Sequence, residues 1–428
     1  MHAETPFAGD AVRATLVSTF RRLMRLYFRD IERVGVPPGA DVRGRVFVSN
    51  HTNALIDPIL VLTDAACEIS PIAKSTLWSV PGLRWLLDRA GAVPLVRRKD
   101  APDKAAGTND EVFSRIASHL AGGGNILIFP EGTSHSEPQL APLRTGAARM
   151  LLAAEAAGGS PTFQAAALEF DERDQFRSRA LVLWGPVRAF ASVAGDSPES
   201  RIAAATAQMD ADLRDLLVEG STHEARLRIA RVAELLANES AAAGSLRAWS
   251  DFGRQVELAG ETLRAAAPAV LDPVARAIDA YYAALGAAGL RDADVLSASA
   301  PAPSSRPSPV SLPLAAAGFA LYALPYFIPR LVARRSDADA VSTIKLGAAL
   351  VVYPLWMGGL VGASMMLPPP LSLFAAAVAI ASPFAALEWL DKWYERRPDP
   401  TPQQLAELHQ LRLAARSAID DARAKLPS

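Results

Sequence analysis

Asn50-His51-Thr52-Asn53-Ala54-Leu55-Ile56-Asp57-Pro58 follows a short apolar run, Val46-Phe47-Val48. A base and a carboxylate directly beyond an apolar strand sit where α/β folds carry their ligands, at the carboxyl ends of strands. A second exit of this kind lies further on, where Ile126 to Phe129 runs into Pro130-Glu131-Gly132-Thr133-Ser134. The two exits predict one site between them. Outward from them the pattern alternates. Apolar runs at 46–48, 69–73, 92–96, 126–129, 163–168 and 181–184 are separated by helical periods at 58–66, 79–89, 107–121 and 143–157. Such alternation predicts an α/β domain with a largely parallel central sheet flanked by helices. The triple glycine 122–124 reads as a helix-to-strand turn, because no helix follows it directly and the lysine of a phosphate-binding loop is missing.

The flanks differ from this core. Leu16, Phe20, Leu23, Met24, Tyr27, Phe28 and Ile31 recur at helical spacing over 11–34, with Arg13, Arg21, Arg22, Arg25 and Arg29 between them. This fits a helix in a membrane interface, or one packed on its own domain with a solvated basic face. We therefore divide the chain into an N-terminal amphipathic segment, 1–38, an α/β domain, 39–196, and an Ala- and Leu-rich helical region, 197–297. A Pro/Ser linker, 298–309, follows.

After the linker the composition turns apolar. Two spans are expected at 346–367 and 371–389, each long enough for ~30 Å of hydrocarbon, with 310–329 re-entrant or a third span inside a membrane region 310–395. Pro368-Pro369-Pro370 makes the turn between the two spans, since a triple proline cannot continue a helix. Arg330, Arg334, Arg335 and Lys345 on one side, and Lys392, Arg396 and Arg397 on the other, fall on one cytoplasmic face if only those two stretches cross. Residues 396–428 are expected as a cytoplasmic tail helix.

At 428 residues with a formal charge of −1, the balance gives no sign of a nucleic-acid partner. Cys67 is the only cysteine, so no intrachain disulfide exists. The start of the chain, with His2 and Glu4, shows no secretory signal pattern. The Ala/Arg richness fits a GC-rich bacterial genome, hence an inner membrane with the catalytic domain cytoplasmic. No metal site is expected, because His119 and His135 lack partners at ligand spacing.

An alcohol becomes a good nucleophile when a base removes its proton, and histidine titrates in the useful range. His51 is the candidate base and Asp57 the carboxylate that fixes its tautomer. On a regular helix they would lie about 120° apart, so the pairing needs a non-helical turn. Pro58 supports one, because the residue before proline avoids helical angles. Asp57 also reads as the N-cap of a helix beginning at Pro58. Gly132 lets the backbone approach a ligand. Arg144, at a helix start, and Arg97 are candidate phosphate binders, while Arg98 and Lys99 read as surface charges.

NHTNALIDP, then GAVPLVR (Gly91 to Arg97), then FPEGTS (Phe129 to Ser134), in this order, resembles the glycerophospholipid acyltransferase superfamily. Five residues rather than four separate His51 and Asp57, which looks more like the fungal-type glycerol-3-phosphate/dihydroxyacetone-phosphate acyltransferases and their bacterial relatives. The resemblance covers roughly 20–190. It implies His51 as general base, Asp57 as its partner, and acceptor binding by Arg97, Glu131, Gly132, Thr133 and Arg144, with Asn50 and Asn53 beside them. Glu131 is expected to hold an arginine, Arg97. The implied co-substrate is acyl-CoA or acyl-carrier protein, with no bound cofactor. The acceptor is glycerol 3-phosphate or its 1-acyl derivative, and membrane lipids are partners. Two other readings remain. One is a serine hydrolase using Ser49, Ser134 or Ser136, which lacks the Gly-x-Ser-x-Gly elbow. The other is a non-catalytic lipid-binding or scaffold protein that keeps the fold.

Overall fold

The computed structural model describes residues 11–80, 82–96, 105–297, 309–395 and 400–427. The linker, apart from Pro309, and Arg97, Arg98 and Lys99 lie outside the described residues. The chain divides into two units, 1–219 and 220–428.

The first unit is built on a seven-stranded sheet ordered β1-β7-β6-β2-β5-β3-β4. Its strands are β1 (Asp30–Val34), β2 (Arg45–Val48), β3 (Ser70–Lys74), β4 (Val93–Leu95), β5 (Ile126–Ile128), β6 (Thr162–Phe170) and β7 (Arg179–Ala189). All pairs are parallel except β6 with β7. Around the sheet lie α1 (Ala11–Tyr27), α2 (Ile56–Asp64), α3 (Leu83–Arg89), α4 (Ala105–Ala121), α5 (Gly146–Ala156) and α6 (Pro198–Arg214). The central strands are apolar on both faces because helices cover both. Val46, Phe47, Val48, Ile126, Leu127 and Phe163 are buried. Neighbouring β2 and β5 run in register, Val48 opposite Ile128. The two loops that carry His51 and Glu131 therefore leave the sheet side by side and at the same height.

The helix expected over 11–34 is two elements. It ends at Tyr27, and Asp30–Val34 pairs with β7 instead. The chain is captured at that corner: the Arg29 N–H donates to Ser178 O at 2.9 Å and the Arg177 N–H to Tyr27 O at 2.8 Å. Ile31 fitted the helical spacing only because Ile31 and Val34 also suit a strand. Two of the interleaved arginines face inward. Arg13 is buried and donates to Ile69 O at 2.6 Å, and Arg21 donates to Thr63 O at 2.7 Å. That part of the basic face is spent on capping backbone carbonyls. Helix α6, from the stretch read as a separate helical region, belongs to this unit. Asp212 on it accepts Arg188 from β7, and Arg201 on it pairs with Glu155 of α5.

The second unit holds α7 (His223–Glu239), α8 (Leu246–Ala266), α9 (Leu271–Ala288), α10 (Asp292–Ser297), α11 (Leu312–Ala333), α12 (Val341–Ser364), α13 (Leu371–Glu395) and α14 (Pro402–Arg423). Helices α11, α12 and α13 are each long and apolar enough to cross a membrane, which supports membrane association. The last helix is no free tail. Leu408 and Ala415 of α14 pack with Leu235, Ile278, Tyr281 and Val295 of α7, α9 and α10. At the centre, Asp292 is fully buried and accepts Arg412 Nε at 2.7 Å, the Tyr281 hydroxyl at 2.6 Å and Asn238 Nδ2 at 3.0 Å.

Candidate active site

The loop after β2 turns sharply. Ala54 has φ 38°, a left-handed conformation that costs an alanine free energy. The Ile56 N–H closes the turn on Asn53 O at 2.9 Å. The turn brings His51 Nδ1 to 3.0 Å from Asp57 Oδ2. Asp57 is not the N-cap of its helix: α2 begins at Ile56, which puts Asp57 inside the first turn with no side-chain cap. Instead Oδ2 accepts the N–H groups of Thr52, at 2.8 Å, and Asn53, at 2.7 Å, from the preceding loop. Three donors converge on one oxygen of a fully buried carboxylate. Burial without such partners would be costly. The His51 ring stacks on Phe129, with centroids 4.1 Å apart. With Nδ1 held by Asp57, the hydrogen on that nitrogen is assigned from the network, and Nε2 makes no hydrogen bond among the described residues.

Glu131 leaves β5 opposite His51. Its Oε1 accepts the His51 N–H at 2.7 Å. Its Oε2 accepts the Ala141 N–H at 3.0 Å and meets His135 Nε2. The His135 N–H in turn donates to His51 O at 3.1 Å. Both backbone polar groups of His51 are thereby fixed by one loop. The carboxylate raises the His135 pKa above its ordinary value through that hydrogen bond. Glu131 is buried and engaged by three donors, and it fixes the loop of His51; Arg97, which it was expected to hold, lies outside the described residues.

Gly132 has φ 78°. A side chain there would meet the Arg144 guanidinium, whose Nε would lie 2.7 Å from the added carbon. Arg144 thus lies flat over bare backbone. Its own N–H donates to Pro130 O at 2.8 Å, while its exposed guanidinium makes no hydrogen bond or ion pair among the described residues. Thr133 is half-buried, its hydroxyl 3.4 Å from Ser134 O.

Asn50 and Asn53, expected beside the acceptor, are spent on the scaffold. Asn50 is buried and pairs with the Leu168 backbone through both ends of its amide, at 3.0 and 2.8 Å. Asn53 is fully buried and donates to Arg173 O at 3.0 Å. Arg173 itself was not foreseen. Its guanidinium donates to Thr52 O at 3.2 Å and Ser136 Oγ at 3.1 Å, so the β6–β7 loop clasps both motif loops. The only sequence signal for His135 was its position four residues after Glu131, and nothing marked Arg173.

Residues 35–164 match the family model described as Acyltransferase. The chain thus carries an acyltransferase-family domain built around this pair of loops. It is 42% identical over 81 residues to glycerol-3-phosphate O-acyltransferase 2 of Saccharomyces cerevisiae, covering 18% of this chain and 11% of that protein. It is 28% identical over 121 residues to the chloroplastic 1-acyl-sn-glycerol-3-phosphate acyltransferase BAT2 of Brassica napus, covering 28% of this chain and 33% of that one. The chain spans a tenth to a third of the length of these relatives. Among solved structures, the 1-acyl-sn-glycerophosphate acyltransferase of Thermotoga maritima aligns with a TM-score of 0.33 at 13% identity, over 47% of this chain and 81% of that one. The homologues are glycerolipid acyltransferases.

Proposed function

We propose that the protein transfers an acyl group from a thioester, acyl-CoA or acyl-carrier protein, to a hydroxyl of glycerol 3-phosphate or 1-acyl-glycerol 3-phosphate. The observation that carries this reading is the His51–Asp57 pair, Nδ1 to Oδ2 at 3.0 Å. His51 Nε2 takes the hydroxyl proton as the oxygen attacks the thioester carbonyl. The tetrahedral intermediate then collapses, the C–S bond breaks, and the imidazolium returns the proton to the departing thiolate. Asp57 holds the ring in its orientation and tautomer. No acyl-enzyme is needed, because the thioester is already activated. General-base catalysis of this kind contributes ~10²–10⁴ in rate.

Arg144, open above Gly132, is the group here that supports an anionic acceptor. Arg97, from the second motif, joins it in this reading. Apolar helices fit an enzyme whose donor and product chains partition into lipid. We place the enzyme in a bacterial inner membrane with its catalytic unit on the cytoplasmic side, where thioester donors are made. The test is thiol release from acyl-CoA by detergent-solubilised protein, with and without each acceptor. Acceptor-dependent release is expected. Equal release without acceptor would indicate a hydrolase, and no release with any acceptor would leave a scaffold.

A further inference from the structure

Helices α11 and α13 form a packed antiparallel pair. Trp389 Nε1 donates to Ser311 Oγ at 2.9 Å, the Tyr322 hydroxyl donates to Ala379 O at 2.8 Å, and Gly318 lies against Ser382 and Ala386. As the residue number rises on α11, it falls on α13. The buried stripe of α11 runs from Ala315 through Gly318, Tyr322, Pro325 and Pro329 to Ala333. On α13, Ala379, Ser382 and Ala386 meet it, and Ser372 and Ala376 are buried as well. Small residues let backbones approach closely, as apolar helices must do to associate in lipid. The chain therefore goes into this region and comes out of it at one end of the pair.

Helix α12 is different. Only Ser342, Leu346 and Ser364 of it are buried, and Val351 and Leu355 are exposed. It touches α11 at mid-length, where Tyr353 stacks on Tyr322 and Trp356 Nε1 donates to Leu321 O at 2.8 Å. It cannot run as a third antiparallel span. The helical rise puts Leu371 about 28 Å from the Ser311 end of the pair. The six residues between Ser364 and Leu371 reach about 25 Å only when fully extended. They are instead folded into turns, with Met366 N–H donating to Ala363 O, Leu367 N–H to Ser364 O and Ser372 N–H to Pro368 O. A second, independent observation agrees. The helices on either side of the apolar segment, α10 and α14, are locked in one bundle by the buried Asp292–Arg412 pair. A charged bundle holding both flanks requires an even number of crossings.

We infer that α11 and α13 cross the bilayer as a hairpin, and that α12 lies against it as a lipid-covered helix with both ends tethered to the far end of the hairpin. This replaces the expected hairpin of 346–367 with 371–389. Its basic residues select neither orientation. Arg330, Arg334, Arg335 and Lys345 lie toward the far end, while Arg306, Lys392, Arg396 and Arg397 flank the near end in sequence. Each set counts four, so the charge bias that orients membrane segments is balanced and the packing decides.

Single cysteines at Val310, Ala338, Met366 and Gln403, in the full chain with Cys67→Ser, are labelled with a membrane-impermeant maleimide in sealed vesicles. Labelling after detergent is the reactivity control. The expected result is Val310→Cys and Gln403→Cys on one face, and Ala338→Cys and Met366→Cys together on the other. Three spans would pair Val310 with Met366. A hairpin of α12 and α13 would leave Met366 alone on its face. Four positions on one face would mean that nothing crosses. Any of these three patterns overturns the inference.

Discussion

Glu131 grips His51 by its main chain: Oε1 of the carboxylate accepts the His51 N–H at 2.7 Å. The His135 N–H holds the His51 carbonyl, and the His135 ring holds the other oxygen of Glu131. Three residues close a ring around the backbone of the proposed base. The ring fixes where the imidazole starts, Asp57 fixes how it turns, and Phe129 fixes its plane. Such a support holds a reacting group within the narrow geometry that proton transfer needs.

His51→Ala removes the base and leaves this support intact. We expect kcat to fall by at least ~10²–10⁴, with an unchanged circular-dichroism spectrum. Activity within tenfold of the wild type, in the thiol-release assay, would refute the assignment.

Asp57 offers a sharper separation of charge from shape. In Asp57→Asn, an amide oxygen can still accept the Thr52, Asn53 and His51 donors, so the loop should keep its fold while losing the charge that stabilises the imidazolium. In Asp57→Ala the buried N–H groups lose their partner, at about 1–3 kcal/mol each. Both variants should lose kcat, but only the alanine should melt markedly lower. Equal melting temperatures for the two would show that Asp57 does not organise this loop.

His135 carries a pH dependence. Its pKa is raised by the hydrogen bond to Glu131, against desolvation, with Glu137 assisting and Arg173 opposing. Protonation would also put a hydrogen on Nδ1, which now accepts the Glu137 N–H at 3.2 Å. The Glu131 contact is the closer one and sets the direction. A raised folded-state pKa means stability fully present below the ordinary 6.5 and lost as pH climbs through the folded value. The melting temperature of the wild type, relative to His135→Gln, should therefore decline above pH 6.5. Because His135 acts through Glu131 and His51, His135→Gln should lower kcat and leave KM nearly unchanged. A flat difference in melting temperature across that window would rule out the coupling.

Gly132→Ala tests the arginine above it. The added carbon would fall 2.7 Å from Arg144 Nε and would hold an alanine at φ 78°. We expect the guanidinium to be displaced and KM for the phosphate acceptor to rise about tenfold, worth about 1.4 kcal/mol. Arg144→Ala should do the same, and the double variant should add little, since the two changes remove one interaction. An unchanged acceptor KM in Arg144→Ala would take that residue out of the binding site.

Much of this was legible in the sequence because it is local. The strands at 46–48 and 126–129 were read from apolar runs. A turn between His51 and Asp57 was expected too, but on the ground that Pro58 keeps Asp57 out of helix, whereas Asp57 lies in the first turn of α2 and the chain turns earlier, at Ala54. The other failures share a cause, which is distance along the chain. Asn50 looked like a site residue until β6 brought Leu168 to its amide. Arg173 reaches Thr52 from the loop after the neighbouring strand β6, 121 residues further along the chain. Residues 30–34 continue a helical period, yet β7 offers them an open edge. Periodicity records which face is apolar, not which partner arrives to cover it.

The Asp292–Arg412 pair is the clearest case of such a partner, since it joins residues on either side of the apolar helices. Both side chains are buried, and Glu239 adds a second carboxylate to Arg412 at 2.8 Å. Arg412→Met would strand the Asp292 charge, and breaking one half of a buried pair costs about 3–5 kcal/mol. The double variant Asp292→Asn/Arg412→Met removes the stranded charge, and its amide can still accept the Tyr281 hydroxyl. It should therefore recover a large part of the loss. Stability followed by urea titration, in detergent, checks the order: wild type above the double variant, and the double variant above Arg412→Met. A double variant no better than Arg412→Met would mean that this contact contributes packing rather than charge pairing.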